Sequence, residues 1–357
     1  MSTLEQPVVV PLEDLSRRRR QFVSGVVYLV LVLLAIYLVA PQFLGEDKDK
    51  VVPLLQRARP QFLALALLFE SLRYIGFGLV ARQIAFMLGQ PIRRADATQM
   101  MIGSYAASRL FSVAGVTGFL VRLQFYARAG FPLGRTLGLL VTQNMVAALC
   151  LLASYLIGLS VLWSRGDLQD LKLVAALGWL AVIIAVAGTQ VYLGLRPRLL
   201  ERAAGWWLRR LDRRFQRLFR RPLYQPEALQ RVTHDLAHSV QLVLRNRRGV
   251  VTATGYQAGA LASDMIALWL VFQALQVAVE PGLVVAAYIV SYYAQLVAPT
   301  PGEAGAMEFA MPVVLVGLGL SPLNAATTTL VFRFFSFWLP IPFGIAAYVN
   351  LKRQAKV

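Results

Sequence analysis

The 357-residue chain is 57% hydrophobic and only 15% charged, with a mean hydropathy of +0.58. Several apolar runs reach the ~20 residues with which a helix crosses a bilayer, so an ordinary water-soluble domain is excluded. Lys and Arg outnumber Asp and Glu by 36 to 18, which places positive charge where the chain leaves the lipid, and the single cysteine, Cys150, excludes a disulfide framework or a thiolate metal site.

In chain order, Arg17–Arg20 hold the basic N-terminus, residues 1–21, in the cytoplasm, and Phe22–Ala40 crosses outward. That run exceeds the ~7–15 residues of a signal-peptide core and reads as a retained signal anchor. It opens an N-terminal membrane half, residues 22–195. Gln61–Leu88 returns inward with Glu70 and Arg73 three residues apart, on one helical face and placed to pair within the membrane. Residues 95–121 are apolar but broken by Gly115 and Gly118, contain Arg109, and are flanked by Arg93 and Arg94 before and Arg122, Arg128 and Arg135 after. Arginines at both ends predict a segment that dips into the membrane and leaves on the same side. Leu137–Trp163 and Leu171–Leu195 then cross out and back.

Residues 196–248 form a cytoplasmic basic region. Nine arginines lie between Arg198 and Arg221, and Leu200, Ala203, Trp207, Leu211, Phe215 and Leu218 recur at helical spacing. A helix with arginine on one face and Trp, Leu and Phe on the other suits an anionic membrane surface; its apolar face argues against nucleic acid as the partner. A second amphipathic stretch, Ala228–Leu244, carries His234 and His238 one turn apart. With Asp235 between them and no third ligand evident nearby, they do not make a metal site, and neither a metal nor a cofactor is expected.

The C-terminal membrane half, residues 249–351, opens with Val250–Val277, which crosses outward with Asp264 near its middle. Residues 283–320 hold a second broken segment. Pro299, Pro301, Gly302, Glu303, Gly305 and Glu308 interrupt it, and prolines and glycines there free backbone groups that membrane depth tolerates only against protein or a wet cavity. Leu323–Asn350 crosses back inward carrying Arg333, and the tail, residues 352–357, is again basic and cytoplasmic. The expected fold is an all-α polytopic membrane protein with about six full transmembrane helices and two broken or re-entrant segments.

The two broken segments align at a constant offset: Ile102 with Ile289, Ser104 with Ser291, Tyr105 with Tyr292, Ala107 with Ala294, Gly115 with Gly302 and Gly118 with Gly305. Gly-rich apolar helices also produce such matches by chance. Entry of the two copies from opposite sides is what favours an inverted repeat, an arrangement that builds a substrate site where broken helices meet near the midplane.

Pro299–Glu308, reading PTPGEAGAME, resembles the Pro-Gly-Gly…Gly…Glu signature of the lysylphosphatidylglycerol synthase transmembrane, or flippase-like, family. Gly115–Arg122, reading GVTGFLVR, is similar to a degenerate form of that family's earlier Gly-Gly-x-Gly-Gly-Asp-x-x-Arg motif, with Phe119 where an acid is usual. The resemblance spans about residues 20–352. It implies a protein that handles a phospholipid or aminoacyl-phospholipid, with a homo-oligomer or a separate synthase as protein partner. It also implies a bacterial plasma membrane. The chain stops shortly after its last helix, so aminoacyl-transferase activity is not expected.

Ionisable groups inside a bilayer are functional candidates by default. Here these are Arg109, Arg122 and Arg333 as cations and Asp264, Glu303 and Glu308 as acids. Guanidinium groups suit a lipid phosphate; carboxylates suit an amino headgroup or are neutralised by the arginines. With Gly115, Gly118, Pro301, Gly302 and Gly305 shaping the breaks, these residues form the candidate substrate site of a lipid translocase. No catalytic constellation accompanies them, and the alternatives are a non-transporting scaffold or an intramembrane lipid-modifying transferase. No P-loop for nucleoside triphosphates is present.

Overall fold

The structure, a computed structural model, describes residues 48–111, 116–166, 170–219, 226–297 and 305–354. Among the described residues the elements are helical. In order they are α1 (Lys48–Gln56), α2 (Pro60–Met87), α3 (Arg94–Phe111), α4 (Val116–Arg128), α5 (Leu133–Ser164), α6 (Asp170–Leu195), α7 (Pro197–Phe219), α8 (Pro226–Arg245), α9 (Arg247–Ala274), α10 (Pro281–Val297), α11 (Ala306–Gly317), α12 (Pro322–Arg333) and α13 (Pro340–Gln354). A π-helical turn, Phe334–Trp338, joins the last two into one rod.

Among the described residues, four stretches are long and apolar enough to cross a bilayer: Pro60–Met87, Leu133–Ser164, Ala176–Leu195 and Pro322–Arg353. Their polarity is inverted relative to a soluble bundle. On α2, Leu65, Leu68, Leu72 and Ile75 recur at helical spacing on an exposed face, while Glu70, Arg73 and Tyr74 are buried. Exposed leucine around an ionic interior is stable only in lipid, where apolar surface costs nothing and charge must be enclosed. The protein is membrane-embedded.

The N-terminus of α9 lies beside the C-terminus of α2, where Gly249 faces Met87, and at the other end Arg59 donates its backbone N–H to the Ala274 carbonyl at 2.9 Å. These antiparallel helices form the centre of the bundle. At the Met87 end, Gln90 donates to the Gly130 carbonyl at 3.2 Å and Asn350 to Gln99 at 2.8 Å. Arg93, Arg94, Arg128, Arg135, Arg245, Arg247, Arg248, Lys352 and Arg353 therefore gather at one end of the bundle. At the other end Arg165 pairs with Glu280, and Gln276–Glu280 border a hollow with Leu318–Ser321.

Both broken segments are helical hairpins. In the first, α4 doubles back along α3: a Cβ added at Gly118 would lie 3.2 Å from Ser108 Cβ and strike the Ser104 carbonyl, so only glycine fits this crossing. In the second, Met307, Met311 and Leu315 of α11 share a core with Tyr288 and Tyr293 of α10. The first hairpin opens at the basic end, by Gln90 and Gly130; the second opens at the opposite end, by Glu280 and Leu318. The residues that close them, 112–115 and 298–304, fall outside the described set, and Gly115, Pro301, Gly302 and Glu303 fall with them.

The region 196–248 divides into two helices with different fates. The second of them, α8, packs into the bundle: Leu236 and Val240 join Met145 of α5 in a buried cluster, and a Cβ at Gly138 would lie 2.6 Å from Ser239 Cβ. Its apolar face is thus covered by α5 rather than by lipid. The preceding helix, α7, buries Leu200 but leaves Trp206 and Trp207 exposed.

Candidate functional site

The site is built where the hairpin ends meet the middle of the long helices. Its first half is an ionic cluster on the α2–α9 axis. Arg73 donates from Nη1 to Asp264 Oδ2 at 2.8 Å, from Nη2 to the Tyr74 hydroxyl and the Ser336 carbonyl at 2.9 Å each, and holds Glu70 Oε2 3.0 Å from Nε. Tyr288 of α10 donates its hydroxyl to the same Asp264 oxygen. Glu70, Asp264 and Tyr288 are at most 3% exposed. The expected pairing of Glu70 with Arg73 is present, and it is one side of a larger arrangement that includes Asp264.

The Ser336 carbonyl is available to Arg73 for a local reason. An α-helix would bond it to the N–H four residues on, but that residue is Pro340, which has none. The chain relaxes into the π-helical turn, closed by the Leu339 N–H on the Phe334 carbonyl at 2.8 Å. Ser336 O then accepts from Arg73 and, at 2.7 Å, from the Tyr105 hydroxyl of the first hairpin.

The second half surrounds Phe337, which is 1% exposed. Arg333 lies over its ring at 4.3 Å and Arg109 at 5.0 Å, with Arg109 also over Tyr105 at 4.7 Å. Arg109 comes from the first hairpin near its closed end. Arg333 in turn binds the second hairpin: its Nε donates to Glu308 Oε1 at 2.8 Å. Glu308 folds its other oxygen back onto the Gly305 N–H, 2.9 Å away, at the start of α11. Gly305 has φ +85°, a left-handed turn that glycine alone adopts without strain. Arg333 Nη2 is buried and makes no hydrogen bond among the described residues.

Of the residues singled out by sequence, the structure thus brings together Arg109, Asp264, Gly305, Glu308 and Arg333. Gly118 acts in the α3–α4 crossing. Arg122 lies half-buried on α4 near Tyr126, away from Phe337 in its described contacts, and its Nε has no hydrogen-bond partner there. Glu308, one of the two acids expected to face a headgroup, is matched by Arg333. Tyr105, Tyr288, Ser336 and Phe337 were not anticipated as site residues; the one signal that could have found Ser336 is Pro340 inside an apolar span.

This arrangement defines a class: a helical membrane protein with two hairpins entering from opposite ends of the bundle and meeting a buried ionic cluster at mid-length. The chain belongs to the lysylphosphatidylglycerol synthase TM region family, whose family model matches residues 22–344. It is also similar to a UPF0104 membrane protein of Methanothermobacter thermautotrophicus, 22% identical over 181 residues, covering 51% of this chain and 53% of that one. A UPF0104 membrane protein of Methanocaldococcus jannaschii is 30% identical over 112 residues, covering 31% of this chain and 33% of that one. The matched stretches therefore span about half and a third of these relatives.

Proposed function

We propose that this protein moves a phospholipid or aminoacyl-phospholipid between leaflets, holding its headgroup at mid-depth between the closed ends of two hairpins related as inverted repeats. The observation that carries this reading is the convergence of Arg109 and Arg333 on the Phe337 ring, with the Arg333 Nη2 donors buried and unused among the described residues. Two planar guanidinium groups at one place suit a phosphate, which accepts their forked donors. Glu308 neutralises Arg333, and an amino group on the lipid calls for a further acid, the role expected of Glu303 from the sequence. Arg122 offers a further phosphate contact along the first hairpin. The acyl chains stay in lipid while the polar group passes through the bundle, each hairpin shutting one side in turn.

In this reading the basic end of the bundle is cytoplasmic by the positive-inside rule, and α7 rests its exposed tryptophans and its arginines on an anionic leaflet. The lipid is moved without chemical change.

Proteoliposomes carrying labelled phosphatidylglycerol or its lysyl form test the proposal, with an impermeant quencher reading the outer leaflet. Protein-dependent exchange is expected, slowed about tenfold or more by Arg109→Gln, the equivalent of ~1.4 kcal/mol or more lost from the moving complex. Exchange no faster than in protein-free vesicles for both lipids would reject the translocase in favour of a scaffold. A chemically altered lipid would identify an enzyme.

A further inference from the structure

The Glu70–Arg73–Asp264 cluster sets two acids around one guanidinium in a dry interior. Asp264 Oδ2 receives both Arg73 and Tyr288. Glu70, 2% exposed, lies 3.0 Å from Arg73 Nε and beside the Asp264 carboxyl, and neither of its oxygens completes a hydrogen bond to a donor among the described residues. Asp264 Oδ1 is equally buried and has no hydrogen bond among the described residues. The cluster therefore has one negative charge and several acceptors in excess, and buried carboxylates in that position are costly. A single proton on Glu70 removes the charge and turns an acceptor into a donor, matching Arg73 with Asp264 alone.

We propose that Glu70 is a proton-binding site, loaded from water and emptied to water, and that its proton is the ion coupled to lipid movement through Arg333. The second half of this statement rests on the lipid-translocase reading; the first does not.

The groups around Glu70 show how coupling arises. Arg73 and Tyr74 share its helix, Asp264 faces it from α9, Tyr288 from α10 and Tyr105 from α3, with Ser336 on the π-helical turn. Ser336, which accepts from Arg73, is followed on that turn by Phe337, over whose ring lie Arg109 and Arg333, the latter held by Glu308 of α11, so both cations stand beside the cluster. A phosphate bound at Arg333 and Arg109 adds negative charge beside the cluster, and added negative charge favours the proton on Glu70. By reciprocity the proton strengthens phosphate binding. One O–H bond forms on loading, with hydronium as the donor, and breaks on release to water. A headgroup of charge −1 and one proton then cross together with no net charge.

Infrared difference spectra of the wild-type protein in lipid, recorded through a pH titration in H2O and D2O, test the site. A protonated-carboxyl band that shifts in D2O, moves with 13C-labelled glutamate and vanishes in Glu70→Gln is expected. Absence of an exchangeable glutamate band in the wild type overturns the site, and the isotope label keeps the test valid should the variant not fold. Coupling is tested in proteoliposomes with a pH difference of about one unit, worth ~1.36 kcal/mol per proton. Labelled phosphatidylglycerol is expected to accumulate about tenfold in the leaflet on the alkaline side, and Glu70→Gln to abolish that accumulation. An even distribution in the wild type, with exchange intact, overturns the coupling. Absence of exchange with and without the gradient overturns the translocase reading and the coupling with it, while the infrared band still decides the proton site.

Discussion

Arg73→Met removes the group on which the centre of the bundle converges. The guanidinium makes a 2.8 Å hydrogen bond to Asp264, two at 2.9 Å to Tyr74 and Ser336, and a 3.0 Å ion pair with Glu70. The neutral acceptors are partly covered without it, because Tyr105 still serves the Ser336 carbonyl. Asp264 keeps Tyr288 but loses its charge partner. Removing one member of a buried ion pair costs roughly 3–5 kcal/mol, because the other charge is left uncompensated. At 1.4 kcal/mol per decade this lowers the folded-to-unfolded ratio by about three orders of magnitude. Reversible unfolding in mixed micelles, followed by tryptophan fluorescence, measures the difference. The double variant Arg73→Met/Asp264→Asn removes both charges and is expected to recover at least ~2 kcal/mol of the loss. A single variant within ~1 kcal/mol of the wild type, or a double variant no more stable than the single, would show that the pair is solvated and refute the argument.

At Gly138 the α5–α8 crossing leaves no room for a side chain, so Gly138→Leu is expected to cost about 1–3 kcal/mol by overpacking and to open α8 to protease; cleavage no faster than in the wild type would count against that packing. Arg165 and Glu280 pair at the far end, but the Glu280 side chain is 70% exposed. Screening by water predicts that a double-mutant cycle on this pair gives less than about 1 kcal/mol, several-fold below the Arg73–Asp264 coupling, and an equal value would refute the contrast.

The two hairpins were legible in the sequence because backbone chemistry marks them locally. Glycines break the run before Arg122, and arginines flank it on both sides, so a dip and return is the only path that keeps them all at one face. The partner of Arg73 was not legible in the same way. Glu70 sits three residues from Arg73, within reach of helical periodicity, whereas Asp264 lies 191 residues away and meets it only through the α2–α9 register. Glu308 was marked as a membrane acid, but whether it faces a ligand or an arginine depends on the return angle of α11 after Gly305. The amphipathic pattern of Ala228–Leu244 correctly gave a helix; it does not distinguish an apolar face covered by lipid from one covered by α5, since both are equally dry.

The convergence also constrains how the bundle moves. Each hairpin is tied to the α12–α13 rod near the π-helical turn, the first by Tyr105 and Arg109, the second by Glu308 on Arg333. Pulling the second hairpin away in a dry interior separates Arg333 from its only described counter-charge, which costs several kcal/mol if nothing replaces it. A phosphate arriving on Arg333 changes that balance, because it supplies the negative charge that Glu308 gives up. On the translocase reading the pair is then a latch released by exchange of one anion for another, and the empty bundle stays shut. Glu308→Gln leaves Arg333 without its carboxylate while keeping the side chain's shape, so it is expected to hold phosphate more tightly and release it more slowly. Bound inorganic phosphate, measured by equilibrium dialysis, should rise about tenfold for each ~1.4 kcal/mol of competition removed; affinity unchanged from the wild type would show that Glu308 and phosphate do not compete for Arg333.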